Sequence, residues 1–147
     1  MKKTLGELMH MLDSTNPRER TLALTYIGKQ RLYNALEACV ASLKDDDDET
    51  RAMAAWALDR MGIPASAAVP ALLDALRDPV FGVRSNAGWA LVHLARRTLP
   101  HVVVPDVIDV LRDSDSPDAR QMAYLVLHNI GGEDAHEAIA RYWRRQS

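Results

Sequence analysis

The stretch LKDDDDETRAMAAWALDRMG at residues 43–62 decides the fold, because LRDPVFGVRSNAGWALVHLA at residues 76–95 repeats its pattern 33 residues later. In both copies an apolar segment ends at a leucine, an aspartate follows two residues on, and an arginine follows six residues after that aspartate. A tryptophan then precedes an Ala-Leu pair. Self-similarity at a period of this length indicates an array of identical supersecondary units.

The segments that close these copies extend the repeat along the chain. ALTYIG begins at Ala23, ALDRMG at Ala57, ALVHLA at Ala90 and VLHNIG at Val126, with separations of 34, 33 and 36 residues. Apolar residues before the aspartate recur at the helical spacing i, i+3, i+4 and i+7, as at Val69, Leu72, Leu73 and Leu76. Strand alternation is nowhere sustained. Each unit is therefore predicted to be a pair of helices.

The predicted domain spans residues 1–147, with units at 3–28, 31–62, 64–95 and 100–131 and a capping helix at 133–145. Four prolines are expected in the entry or first turns of the third and fourth leading helices, where a missing amide hydrogen costs least: Pro64, Pro70, Pro100 and Pro105. Pro70 and Pro105 are also compatible with a kink. The acidic turn at residues 45–49 is interpreted as helix capping rather than as a calcium loop, whose glycine and closing glutamate are missing.

On residues 43–62 and 76–95 the chain resembles the HEAT repeats, and most closely the short bacterial type named for the phycobilisome lyase HEAT-like proteins. The resemblance implies a right-handed α-solenoid of about four helix pairs plus a C-terminal capping helix, with the second helices lining the concave side. It also implies a structural ladder of aspartates and arginines within and between units. The ladder residues are Asp45, Arg51, Asp78, Arg84, Asp113 and Arg120.

The first unit departs from this pattern. Alignment on Gly28 puts Pro17 at the arginine position, whereas alignment on Asp13 puts Glu19 or Arg20 there. The fourth unit carries an extra residue between 114 and 117. Terminal units are expected to be atypical, because one of their faces meets solvent.

A row of apolar residues is the candidate partner-binding site. Helical geometry buries Ala54, Leu58 and Met61 and turns Trp56 to the opposite side. Alignment of the segments that close the units places Leu22, Trp89 and Leu125 at the position of Trp56, and these four residues form the row. The candidate concave face comprises Tyr26, Met53, Trp56, Arg60, Trp89, His93, Met122, Leu125 and His128. Exposed apolar rows with polar rims mark interaction surfaces, and tryptophan is favoured in them. In the alternative interpretation, each tryptophan packs on the neighbouring unit and seals the stack.

Composition narrows the function classes. The net charge is -2, without a basic block, which argues against a dedicated binder of phosphate backbones. The single cysteine, Cys39, is expected to be buried and inert, and fits a reducing, cytoplasmic compartment. The terminal arginines Arg141, Arg144 and Arg145 form a small basic patch that could contact nucleic acid, and a charged last turn that complements the helix dipole explains them equally well.

No catalytic, metal-binding or cofactor-binding motif is predicted, because the five histidines are dispersed and no Ser/His/Asp order, phosphate loop or CxxC pair is present. We therefore expect a module that binds another protein or peptide, with self-association open. Two alternatives remain. One is a bilin-lyase-like enzyme or enzyme subunit, implied by the resemblance, and the other is a DNA-binding solenoid. No membrane partner is expected, because no long apolar segment is present.

Overall fold

A computed structural model describes residues 3–97 and 100–143, without the side chains of residues 63–65. The part described is helical and contains no strand. Its helices are α1 (Leu5–Leu12), α2 (Pro17–Gln30), α3 (Leu36–Ser42), α4 (Asp48–Met61), α5 (Val69–Ala75), α6 (Phe81–Arg97), α7 (Pro100–Asp113), α8 (Pro117–Ile130) and α9 (Glu133–Ala138). The 3-10 turns Tyr33–Ala35 and Ile63–Ala68 lead into α3 and α5, and the π-helical turn Ile139–Trp143 extends α9.

The helices form two layers. Helices α1, α3, α5, α7 and α9 are the leading helices of successive units, and α2, α4, α6 and α8 are the second helices that pack on them. Neighbouring second helices contact each other more extensively than neighbouring leading helices do, so the stack curves toward the second helices. The predicted all-helical solenoid is confirmed.

Small residues let the second helices approach closely. The seventh residue of every second helix is a fully buried alanine, at Ala23, Ala54, Ala87 and Ala123. The eleventh is a fully buried branched residue, at Ile27, Leu58, Leu91 and Leu127. Each alanine leaves room for the neighbouring backbone, and each branched side chain fills the space beside it. This alternation explains how a core with few aromatic residues reaches close packing.

The first unit follows a different register from the one that Gly28 predicted. Helix α2 continues to Gln30 and is capped by Arg31, whose φ of 51° lies in the left-handed region. Gly28 therefore lies inside the helix and does not end it. From Ala23 to Ala54 the repeat is 31 residues, so the equivalent of Trp56 in the first unit is Thr25 and not Leu22.

A shared sequence would have revealed this register. STNPRER at residues 14–20 matches SDSPDAR at residues 114–120 in its serine, its capping residue, its proline and its arginine. Both segments begin a second helix, with Asn16 or Ser116 as the N-cap and a proline as the first helical residue. Alignment on helix starts would have placed Arg20 in the ladder directly.

Helix α7 begins at Pro100, where the predicted fourth unit begins. Because it starts at Pro100, Pro105 lies inside the helix and not in its entry turn. Proline has no amide hydrogen, so the carbonyl of His101 lacks its usual helical donor. Pro70, by contrast, lies in the first turn of α5 as predicted. At the C-terminal end, Trp143 stacks on Tyr124 of α8 with ring centroids 4.6 Å apart, whereas Arg144 and Arg145 lie outside the described residues.

Cys39 is expected to be unreactive in the folded protein. The side chain is fully buried on α3, and burial raises the pKa of its thiol to about 12. Because the thiolate is the nucleophile, a disulfide reagent at about pH 8 should react at least about a hundredfold more slowly with the native chain than with the urea-unfolded chain. Rapid stoichiometric labelling of the native protein, followed by thiol absorbance, would contradict this prediction.

Candidate functional site

The turn that precedes each second helix is built the same way in all four units. The side-chain oxygens of Ser14, Asp45, Asp78 and Ser114 accept hydrogen bonds from the amides two residues further on, at 3.1, 2.9, 2.9 and 3.2 Å. The fourth helical residue is an arginine that donates back to the carbonyl of the same turn residue: Arg20, Arg51, Arg84 and Arg120. Each arginine therefore ties its helix to the turn that begins it.

Two of these arginines also cross to the following unit. The guanidinium of Arg20 donates two hydrogen bonds of 3.0 Å to the carboxylate of Asp45. Arg51 donates to Asp78 at 2.8 and 3.3 Å, and this hydrogen bond raises the pKa of Arg51. Paired donors on a planar guanidinium match a carboxylate in geometry as well as in charge. The ladder contacts therefore link α2 to the second unit and α4 to the third.

The structure corrects the predicted ladder at its C-terminal end. Asp113 is exposed and accepts hydrogen bonds from the neighbouring Arg112 at 2.9 and 2.8 Å, because the extra residue in this turn puts Ser114 at the ladder position. Arg84 therefore finds no equivalent carboxylate in the fourth unit and approaches only the exposed Asp118, at 3.6 Å. The Nε atom of Arg120 is buried without a hydrogen-bond partner.

The two tryptophans of the predicted row have different environments. Trp56 is half-buried and lies across Gly28 of α2, so closely that a Cβ atom on Gly28 would be 2.5 Å from its Cζ3 atom. The guanidinium carbon of Arg60 lies 6.0 Å from the ring centroid. Trp56 therefore packs between the first two units, as in the sealing interpretation.

Trp89 occupies the same position on α6 but keeps 45% of its surface exposed. The residue across from it, equivalent to Gly28, is Asp59. That carboxylate is 2.7 Å from Nδ1 of His93, and the His93 ring stacks on Trp89 with centroids 5.7 Å apart. At the interface of the first two units, Gly28 leaves a space that the Trp56 ring fills. At the next interface, Asp59 and His93 occupy the corresponding space, so the Trp89 ring stays at the surface.

Beside Trp89 an apolar cleft of about 230 Å³ opens between α6 and α8. Its lining residues are Phe81, Ser85, Gly88, Trp89, Val92, Met122, Leu125, Val126 and Asn129. Gly88 lets α8 pack closely on α6 at the floor of the cleft, since a Cβ atom there would be 3.0 Å from the sulfur of Met122. Three lining residues are among the most exposed large hydrophobic residues described, with exposed fractions of 64% at Phe81, 45% at Trp89 and 38% at Leu125.

The predicted site residues are not all brought together. Trp89, Met122 and Leu125 line the cleft, with His93 against Trp89, whereas Trp56 and Arg60 form a separate pair at α4. Tyr26 and Met53 are half-buried against the core, and His128 stacks instead on Tyr124 with centroids 6.0 Å apart. Phe81 and Gly88 were not among the residues predicted for the site. A glycine in the middle of a helix, next to a tryptophan, was the available signal for the cleft.

Among the described residues, no helix is long and apolar enough to cross a membrane. The same residues contain no group of three or more histidine, cysteine, aspartate or glutamate side chains placed to hold a metal ion.

Comparison with known proteins agrees with the helix stack. The family model for HEAT repeats matches residues 5–92 and 69–147. The chain is similar to a crystal structure of an engineered protein, with a TM-score of 0.64 and 20% identity over 97% of this chain and 69% of the other. A second engineered protein gives a TM-score of 0.58 and 21% identity over 93% of this chain and 40% of the other. At these identities the likeness shows the fold alone. No curated protein matches the chain.

Proposed function

Because the chain belongs to the HEAT-repeat family, we propose that it is a protein-interaction scaffold and that a partner segment binds in the cleft between α6 and α8. HEAT solenoids commonly serve as such scaffolds. We choose this cleft as the binding surface because Phe81, Trp89 and Leu125 are all exposed around it. Apolar residues clustered in this way stand out on a protein surface, and exposed tryptophans are enriched among residues that dominate binding energy.

The dimensions of the cleft favour a protein segment as its occupant. At about 230 Å³ the cleft is smaller than the roughly 300–1,000 Å³ sites that enclose drug-sized ligands. Phe81 and Trp89 are eight residues apart on α6, which corresponds to about 12 Å along the helix. Two apolar side chains seven residues apart on a partner helix span about 10.5 Å. An amphipathic helix laid along the cleft would therefore contact both residues.

Truncating the exposed side chains should weaken capture of the partner. Trp89→Ala and Leu125→Ala are each expected to weaken binding roughly tenfold, because truncating a central anchor costs about 1–2 kcal/mol. Leu22→Ala is the matched control, since Leu22 is 47% exposed but lies on α2, away from the cleft. The measurement is quantitative affinity capture from the native host, followed by titration of the captured protein.

A partner retained by Leu22→Ala but lost by both cleft variants would support the proposal. Equal retention by all three variants would contradict it. Circular dichroism of each variant separates lost binding from lost folding. We propose a cytoplasmic location for this scaffold, on the basis of its single buried thiol.

The bilin-lyase alternative is supported by the resemblance of residues 43–62 and 76–95, and so stands as an analogy of fold. Covalent bilin on an acceptor protein after denaturation would establish it.

The DNA-binding alternative requires cations that contact phosphates. Two arginines of the second helices are already engaged within the protein, because Arg60 contacts the Trp56 ring and Arg96 donates a hydrogen bond to the carbonyl of Asn129. Tight, salt-sensitive binding of a labelled duplex would favour that alternative over the scaffold.

A further inference from the structure

A second groove lies on the leading helices, between α7 and the segment formed by α9 and its π-helical turn. Its volume is about 280 Å³, and its apolar floor and wall are formed by Val104, Pro105, Ile108, Ala138 and Tyr142. The groove adjoins a depression at the turn between α8 and α9, because both are lined by Val104, Pro105 and Asp134. None of these residues belongs to the cleft between α6 and α8.

The rim of this groove is acidic. Asp109, Asp134 and Glu137 line it and Glu133 lines the adjoining depression, and Arg141 is the cation among the described lining residues. Asp109 shares the guanidinium of Arg112, at 2.9 Å, with Asp113 and is left out of the charge count. Three carboxylates then face one guanidinium, a local net charge of -2, which equals the formal net charge of the whole chain. The dipole of α9 accounts for Glu133 and Asp134, which lie in its first turn. Glu137 lies beyond the first turn, so the dipole does not account for it.

Pro105 interrupts the helical hydrogen bonds of α7 beside the same surface. The carbonyl of His101 has no helical donor at position 105, and both residues line the depression that adjoins the groove. An apolar floor and a rim of carboxylates together match a segment that carries apolar side chains and cationic donors.

We infer that this groove binds a basic amphipathic segment of a protein partner, with its apolar side chains on Pro105, Ile108 and Tyr142 and its lysines or arginines at Asp134 and Glu137. Anionic lipid surfaces and nucleic acids are disfavoured here, because their phosphates would meet carboxylates. The inference goes beyond the proposed function, since it concerns the leading helices and a partner of defined charge.

A synthetic helical peptide of leucine and lysine, as long as the 14-residue α7, is the probe, and its glutamate-for-lysine counterpart is the negative control. Fluorescence anisotropy of the labelled peptide measures binding to the full chain. The variant Asp134→Lys plus Glu137→Lys should weaken binding roughly tenfold or more, because two attractions become repulsions. Glu137→Lys alone should weaken binding by a smaller factor and leaves the first turn of α9 unaltered.

The matched control is Glu19→Lys plus Glu37→Lys, which changes the net charge equally at exposed positions on α2 and α3. Binding that survives in this control and in Trp89→Ala, but not in the groove variants, supports the inference. Equal loss in both double variants would show attraction to net charge alone. Loss in Trp89→Ala would instead assign the peptide to the α6–α8 cleft. Either result, or no binding by the wild type, would overturn the groove inference.

Discussion

Replacing Arg51 with alanine is expected to lower the free energy of unfolding by about 3 kcal/mol, because breaking a buried ion pair leaves one charge without its partner. The side chains of Arg51 and Asp78 are only 12% and 9% exposed, and Arg51 also holds the carbonyl of Asp45 at 2.9 Å. The variant would therefore strand the Asp78 carboxylate between two units and release the turn before α4. Urea unfolding followed by circular dichroism measures the change.

Arg84→Ala is the informative comparison, although the ladder pattern suggested that it would leave Asp78 unpaired. Arg84 donates to the backbone carbonyls of Asp78 and Pro79, at 2.8 and 3.1 Å, and does not contact the Asp78 carboxylate. Its loss should cost about 1.5 kcal/mol, the lower end for hydrogen bonds made by a charged group, because no buried carboxylate loses its partner. Arg112→Ala, at an exposed ion pair, should change stability by less than about 0.5 kcal/mol. An Arg84→Ala effect equal to that of Arg51→Ala would refute this ordering.

Gly28→Ala is expected to destabilise the protein by about 2 kcal/mol, although the same change inside a helix ordinarily stabilises it by about 1 kcal/mol. The added Cβ atom would lie 2.5 Å from Cζ3 of Trp56 and 3.1 Å from the Cα atom of Ala57. The indole can move only by leaving its position between the first two units. Thermal unfolding should therefore shift downward while tryptophan emission moves toward longer wavelength.

Gly82→Ala provides the control, because among the described residues no atom beyond its chain neighbours and its own helical backbone lies within 4 Å of a Cβ atom at that position in α6. It should be neutral or slightly stabilising. In a Trp56→Ala background, Gly28→Ala should cost less than it does in the wild type, since the main clash is gone and only Ala57 remains close. If Gly28→Ala stabilised the protein as much as Gly82→Ala, the packing of Trp56 on Gly28 would be wrong.

The sequence by itself determined the helix pairs and their buried faces. The 33-residue repeat and the helical spacing of Ala54, Leu58 and Met61 are local properties, and these residues are buried as predicted. Repetition strengthened the prediction, because apolar residues recur at the same helical spacing in every unit and form the buried face of each. The first unit was misaligned because ALTYIG resembles ALDRMG, whereas the N-cap at Asn16 fixes where α2 begins.

Only the tertiary structure decided which contacts cross between units. Trp56 and Trp89 have the same position in their repeats. The Trp56 ring packs on Gly28, whereas Asp59 stands at the equivalent position opposite Trp89, whose ring stays at the surface. Similarly, one extra residue in the fourth unit placed Ser114 where a carboxylate was expected, and Asp113 accepts hydrogen bonds from Arg112 instead. These outcomes depend on residues about one repeat away in sequence that become neighbours only when helices stack. A periodic pattern specifies which face of a helix is buried, whereas the side chain across the interface specifies how each residue on the remaining face is covered.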